Sequence, residues 1–172
     1  MIPKIREPEI TAIACYPGKS ATVIRIANTL DAKQAFVGGY IQAIYPFDDP
    51  VAIVCNEEGK LNGLEPCRAL YDEEGNIYDI IVGSFLICGL DDEGFVSLTP
   101  QQQKEYLAMF RKPQMFFLLN DEMVAIPMEE VYQNRLKKWK ATATEQREAT
   151  MAQEINEQHS YLDRGSAQSF PR

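Results

Sequence analysis

Seven short runs of β-branched, aromatic and other apolar residues recur along residues 1–126, each bounded by Gly, Pro, Asn or Asp, and this punctuation commits the chain to hairpins. Residues 10–16 (ITAIACY) and 22–26 flank PGKS and predict a first hairpin. Residues 40–45 (YIQAIY) and 51–55 (VAIVC) flank PFDDP and predict a second; residues 115–119 and 123–126 predict a last one about Asn120-Asp121. Residues 77–88 (IYDIIVGSFLIC) form an unbroken apolar run with Gly83 in its middle, which predicts one bent or bulged strand at the centre of the sheet. The stretch 56–71 has two glycines, a proline and no sustained period, and is expected to be a long ordered loop.

Two helix signals interrupt the strands. Asn28-Thr29-Leu30-Asp31 provides a polar cap with an acid in the first turn, and Gly38-Gly39 ends the helix, since only glycine takes the left-handed C-cap without penalty. Thr99-Pro100-Gln101-Gln102 combines a threonine cap, a first-position proline and a glutamine three residues on. The helix it starts runs to about Arg111, with Tyr106, Leu107 and Phe110 on one face, and Pro113 stops it. The expected fold is therefore α+β: a mostly antiparallel sheet built of hairpins with two packed helices, followed by a long C-terminal helical arm. The division falls at body 1–126 and arm 127–172.

In the arm, Tyr132, Leu136, Trp139 and Ala143 recur at steps of four, three and four on an otherwise charged helix. Such a stripe must pack on the body or on another subunit, and Tyr132, Leu136 and Trp139 are the candidate interface of a homo-oligomer held through the arm. Farther on, only Met151, Ile155 and Leu162 offer anchors, so the helix would be marginal alone in water.

Charge narrows the partners. The chain has 25 acids and 17 Lys or Arg; seven of each lie in residues 127–172, leaving 18 acids against 10 bases in the body. A surface of that sign repels phosphate backbones, so nucleic acid is not an expected partner, whereas a small anion in a local basic pocket is. No apolar stretch approaches the length needed to span a bilayer, and the first ten residues lack an apolar signal core, so a cytosolic protein is expected. Cys15, Cys55, Cys67 and Cys88 show no CxxC spacing; three lie inside apolar runs, as reduced core thiols do.

Catalytic signatures are missing. The single histidine, His159, falls in the polar arm, and no HExxH, GxSxG, phosphate-loop or GxGxxG pattern occurs. The acidic clusters Asp48-Asp49, Glu57-Glu58, Asp72-Glu73-Glu74 and Asp91-Asp92-Glu93 fall in predicted turns, where such side chains bond the local backbone. No metal site, cofactor or enzymatic activity is expected. Two places remain for a ligand. At Gly38, Gly39 and Tyr40, a bare backbone adjoins an aromatic face, although a helix cap followed by a strand explains the same residues. After Cys55, Asn56, Lys60 and Arg68 bring an amide, a point charge and a planar two-pronged fork suited to phosphate or carboxylate, although surface pairing with Glu57, Glu65 or Asp72 is the plainer use of the two cations.

The stretch VGGYIQAIYPFDDPVAIVCNEEGKLNGLEPCRALYDEEGNIYDIIVGSFLICG resembles a domain-of-unknown-function family of small proteins from phages, conjugative elements and their Firmicutes hosts. The pieces NEEGKL, RAL and DIIVGSFLI occur together and in order, and the likeness extends over about residues 12–115. Where members usually have Asn before the Arg, this chain has Cys67. The resemblance implies a habitat, the host cytosol, in which small accessory proteins blunt host defence. The expected function is a non-enzymatic accessory, possible anti-defence, protein that sequesters a small anionic ligand such as a nucleotide immune signal. The alternative is an acidic inhibitor that occupies a host enzyme through its body or arm; a metal-dependent phosphodiesterase ranks third.

Overall fold

The opening hairpin forms at the expected place: β1 (Glu9–Tyr16) and β2 (Lys19–Ala27) run antiparallel about Gly18, whose φ of 71° is the left-handed turn the PGKS signal calls for. The computed structural model describes residues 6–165, except for the side chains of residues 130–133 and 162–165. Helix α1 (Leu30–Val37) follows, and Gly38 closes it at φ 78° with its N–H on the Gln34 carbonyl at 2.9 Å. Next come β3 (Ile41–Ile44), β4 (Val51–Asn56), β5 (Pro66–Tyr71), β6 (Ile77–Val82), β7 (Phe85–Asp91) and β8 (Gly94–Val96). Helix α2 (Pro100–Phe110) starts with the predicted reciprocal cap: the Gln102 N–H donates to Thr99 Oγ1 at 3.2 Å and the Thr99 N–H to Gln102 Oε1 at 2.9 Å. Strands β9 (Gln114–Leu119) and β10 (Glu122–Pro127) turn about Asn120 and Asp121, both at positive φ, and α3 (Met128–Gly165) continues from there. The fold is α+β, with antiparallel sheets and three helices among the described residues.

The main sheet has the order β2-β1-β7-β4-β3, with β8 also on β7. Its middle strand is β7, where Ile87 pairs with Ile13 of β1 on one side and Ile53 of β4 on the other, and none of the three is exposed. Both faces are covered. Ile13, Cys15, Val51, Ile53, Phe85 and Ile87 pack with Tyr106 and Phe110 of α2 and with Cys67, Leu70 and Ile81 of β5 and β6. On the opposite face Ile10, Ala12, Ala14, Val54, Leu86 and Cys88 pack under Phe36 of α1, with Ile24, Ile26 and Ile41. Double coverage explains why these strands read as continuous apolar runs rather than as alternations.

Two expectations are corrected. The run at residues 77–88 is not one bent strand: Gly83, at φ 73°, breaks it, and β6 leaves the main sheet to pair with β5 as a separate two-stranded sheet. A Cβ at Gly83 would lie 2.8 Å from Leu64 Cδ1, so the turn needs glycine on packing grounds as well. The stretch 56–71 is not loop throughout, because its last six residues are β5. A proline at the start and Arg68 in the middle hid that strand, whose four central residues are all buried.

The chain divides into two units, Met1–Glu129 and Glu130–Arg172. In the second, Trp139, Met151, Ile155 and Tyr161 are exposed, Leu136 is half-buried, and the Tyr132 side chain lies outside the described residues. No helix among the described residues is long and apolar enough to cross a membrane.

Candidate functional site

The six residues singled out for a ligand fall in three places. Gly38, Gly39, Tyr40 and Asn56 line one hollow of about 310 Å³ together with Gln34, Glu58 and Asn62. Its glycines serve the local fold. Asn56, at the end of β4, donates from Nδ2 to the Val37 carbonyl at 3.1 Å and accepts the Glu58 N–H at 2.9 Å, which locks the amide across the end of α1. A Cβ at Gly39 would come within 2.9 Å of that Nδ2. Tyr40 is exposed, but Glu58 is the only charged residue lining the hollow, so an anion would meet no cation there. Lys60 is not among the lining residues; its ammonium is 2.5 Å from Asp79 Oδ1 in an exposed ion pair.

Arg68 lies elsewhere and is 1% exposed. Its guanidinium is held by backbone carbonyls: Nε donates to Phe110 O at 2.8 Å, Nη1 to Cys67 O at 2.9 Å and Tyr16 O at 3.3 Å, and Nη2 to Lys19 O at 2.8 Å. It thereby ties the last turn of α2 to the β1–β2 turn, and no ion pair to it is found among the described residues. The same cation moderates its thiol neighbour: burial pushes the Cys67 thiol up to about 12, and the Arg68 charge opposes the rise.

Arg68 also borders the hollow that best suits a ligand. A cleft of about 590 Å³ opens where α2 ends, between Phe47, the β5–β6 sheet and the start of β9. Phe47 is braced against Tyr106 at 4.7 Å and Phe110 at 6.1 Å between ring centres. Tyr71 and Tyr78, from β5 and β6, present exposed rings. Gln114 fixes one of them: its Oε1 accepts the Ala69 N–H and its Nε2 donates to the Tyr71 hydroxyl, both at 2.9 Å. That hydroxyl therefore accepts, and its own proton remains available for a ligand oxygen. Arg111 and Lys112 complete the lining; Lys112 pairs with Glu129 at 3.2 Å across solvent, and Arg111 has no ion pair among the described residues. Three cations and no carboxylate line this cleft, in a body of 18 acids and 10 bases.

A third hollow of about 370 Å³ has the opposite balance, Arg6 against Glu7, Asp91 and Glu93. Lys33, 3% exposed, sits near its Asn28 and Phe95, donating to Asn28 Oδ1 at 2.9 Å with the Phe95 ring centre 5.1 Å away. Burial holds its ammonium below the ordinary lysine range. Two of the four acidic clusters bond the local backbone, Asp91 Oδ1 accepting from the Glu93 and Gly94 N–H groups and Asp72 Oδ1 from that of Asn76, whereas Asp49 Oδ2 accepts from the Tyr106 hydroxyl at 2.8 Å, 57 residues along the chain. No metal-holding group of His, Cys, Asp and Glu occurs among the described residues, and His159 is exposed, with Nδ1 3.2 Å from the Ile155 carbonyl.

Sequence reasoning passed over Tyr71, Tyr78, Arg111 and Lys112. The pair Arg111-Lys112 before Pro113 reads as an ordinary helix end, where cations favour the dipole, and the tyrosines converge only once β5 and β6 have paired.

A family model described as Domain of unknown function (DUF3846) matches residues 10–111, more than half of the chain. The chain belongs to this family. The DUF3846 region holds the main sheet, β5, β6, α1 and α2, and so includes Arg68, Tyr71, Tyr78 and Arg111; it ends before Lys112, Gln114, the β9–β10 hairpin and α3. No curated protein and no solved structure matches the chain.

Proposed function

We propose that the body binds, without turning it over, a small anion carrying a flat aromatic part, in the cleft at the end of α2. The observation that carries this reading is the sign of the cleft: Arg111 and Lys112 are exposed on it, Arg68 lies buried in its wall, and no acid lines it, on a body with an excess of acids. Tyr71, Tyr78 and Phe47 add aromatic faces, and aromatic stacking is worth about 1–3 kcal/mol per nucleobase. A nucleotide meets both requirements. With the resemblance to phage and conjugative-element proteins, the proposed role is sequestration of a nucleotide defence signal in the host cytosol. Titration calorimetry of the purified chain against cyclic and linear mono- and dinucleotides tests it. Binding by one class, its loss in Tyr78→Ala and recovery of the nucleotide intact support the reading; no heat with any nucleotide refutes it.

A second reading rests on the β9–β10 hairpin, where Phe117, Leu118, Leu119 and Met123 are all exposed. An apolar patch of this kind on an acidic body suits a protein-binding inhibitor of a host enzyme. Leu118→Asp with Leu119→Asp would then abolish capture of one stoichiometric partner and leave nucleotide binding unchanged.

A further inference from the structure

Tyr71 and Gln114 hold each other in one polarity on the wall of the cleft. The Ala69 N–H of β5 can only donate, so the Gln114 amide must turn Oε1 toward it, at 2.9 Å. Nε2 is thereby left to the Tyr71 hydroxyl, also at 2.9 Å, and an amide nitrogen can only donate. The hydroxyl accepts on that side and offers its proton on the other. Gln114 belongs to the same short stretch as Arg111 and Lys112, so its bond draws the Tyr71 hydroxyl to the segment that carries the two exposed cations of the cleft. The guanidinium of Arg68, the third cation, is taken up by backbone carbonyls. Two available charges and a hydroxyl fixed as a donor therefore share one end of a cleft that no carboxylate lines.

We propose that this end of the cleft receives a terminal phosphate monoester in its doubly charged form, the Tyr71 hydroxyl donating to a phosphate oxygen and Gln114 acting as the positioning residue that keeps it a donor. The inference rests on the nucleotide reading of the cleft and narrows it to linear nucleotides that end in a phosphate. Two negative charges match Arg111 and Lys112, whereas a cyclic phosphodiester brings one charge per phosphate. Every terminal oxygen of the doubly charged monoester accepts, which is what a group of donors requires. The singly charged form has one charge and one fully accepting oxygen fewer.

Titration calorimetry of the full chain tests this with the linear and cyclic monophosphates of adenosine, guanosine and uridine, and with linear, phosphate-ended and cyclic dinucleotides of the same bases. A phosphate monoester loses its second proton near about pH 6, so its doubly charged fraction rises from about one tenth at about pH 5 to nearly all at about pH 7.5. Affinity for the linear ligand should rise about tenfold with that fraction. Affinity for the cyclic ligand should stay level. The charged and titratable groups at the site are Arg68, Arg111, Lys112, Tyr71, Tyr78 and, through Lys112, Glu129. A cyclic ligand meets the same groups and has no proton to lose in this range, so it reports any change in them. Gln114→Glu keeps one oxygen on the Ala69 N–H and turns the other to accept the Tyr71 proton, which leaves the hydroxyl facing the phosphate as an acceptor. Its cost in affinity for the linear ligand should be at least about threefold larger in the parent than in the Tyr71→Phe background, a factor on the scale of one hydrogen bond. A pure charge effect would be equal in both. A cyclic ligand bound as tightly as the linear one at the higher pH, a linear affinity that does not follow pH, or an equal cost of Gln114→Glu in both backgrounds overturns the proposal and leaves the nucleotide reading standing. No heat with any of these nucleotides ends both. The pH series on the parent needs no variant, and far-UV circular dichroism of each variant separates loss of binding from loss of the body fold.

Discussion

Replacing Arg68 with methionine preserves most of the side-chain volume while removing every guanidinium donor, so it isolates what the four carbonyl contacts contribute. Phe110 O belongs to the last turn of α2 and has no intrahelical partner, and both it and Cys67 O bond the guanidinium in buried surroundings. Tyr16 O and Lys19 O lie in partly buried surroundings at the β1–β2 turn and can find water after a small shift. Two buried carbonyls left without a donor, at about 1–3 kcal/mol each, give an expected loss of about 2–6 kcal/mol. Relief of the buried charge offsets part of that loss, since a buried cation is itself costly to desolvate. A domain of this size has about 5–15 kcal/mol to lose, so the variant should remain folded in buffer but with a much lower urea midpoint. The assay is urea unfolding followed by far-UV circular dichroism, because the single tryptophan, Trp139, lies exposed on α3 and does not report on the body. Arg68→Lys, which keeps the charge but loses the planar fork, should fall between the two. A loss below about 1 kcal/mol for Arg68→Met would refute the anchoring argument, because it would equate four contacts, two of them buried, with a single average hydrogen bond.

Burial raises Cys67 and Cys88 to about 12 and drives Cys15 and Cys55 upward as well, so the folded chain keeps protons that the unfolded chain releases near the ordinary thiol value. Thiol-linked stability is therefore fully present below that value and falls as pH rises toward about 12, by ~1.4 kcal/mol per pH unit for each thiol; Cys88→Ala should flatten the alkaline slope of the urea midpoint by one thiol, and an unchanged slope would count against it. Gly39→Ala drives a methyl into the locked Asn56 amide and should cost about 1–3 kcal/mol in the same unfolding assay. Tyr106→Phe removes the 2.8 Å bond to Asp49 Oδ2 and should lower stability by about 1–2 kcal/mol, a loss that Asp49→Asn should not deepen in the double variant if the two groups act as one pair.

How far the fold could be read depended on whether the deciding contact was local. Thr99 with Gln102, Gly38 with Gln34, and the Asn120-Asp121 turn lie within a few residues of their partners, and each formed where expected. Strand β5 and the break at Gly83 did not reveal themselves, because what separates β6 from β7 is the packing of Leu64 against a bare Gly83 and the pairing of β5 with β6. The candidate site divided in the same way. Arg68 stands out in the sequence as one of two cations, with Lys60, in the stretch 56–71, but its partners include Tyr16, Lys19 and Phe110, 52, 49 and 42 residues away. Distances along the chain of that order leave no trace in a local pattern, so its role as an anchor emerged only with the fold.

Arg111 decides between a structural and a binding account of the cleft, because both explain a cation at that place. The end of α2 carries the partial negative charge of its free carbonyls, and a base there is worth about 0.3–1 kcal/mol to the helix whether or not a ligand exists. Dipole neutralisation, however, is already served by Arg68 on Phe110 O and by Lys112 one residue on, whereas Arg111 keeps an exposed guanidinium with no ion pair among the described residues. If its charge serves the helix, Arg111→Ala should lower the urea midpoint slightly and leave nucleotide affinity alone. If it serves a ligand, stability should hold within about 0.5 kcal/mol while affinity falls about tenfold or more, the loss expected when one charge-assisted contact of about 1.5–3 kcal/mol disappears. Measuring both on one preparation, at low and at raised salt, separates the accounts: a ligand contact weakens as salt screens the exposed guanidinium, and a variant that binds as the parent does at both salts would remove Arg111 from the site.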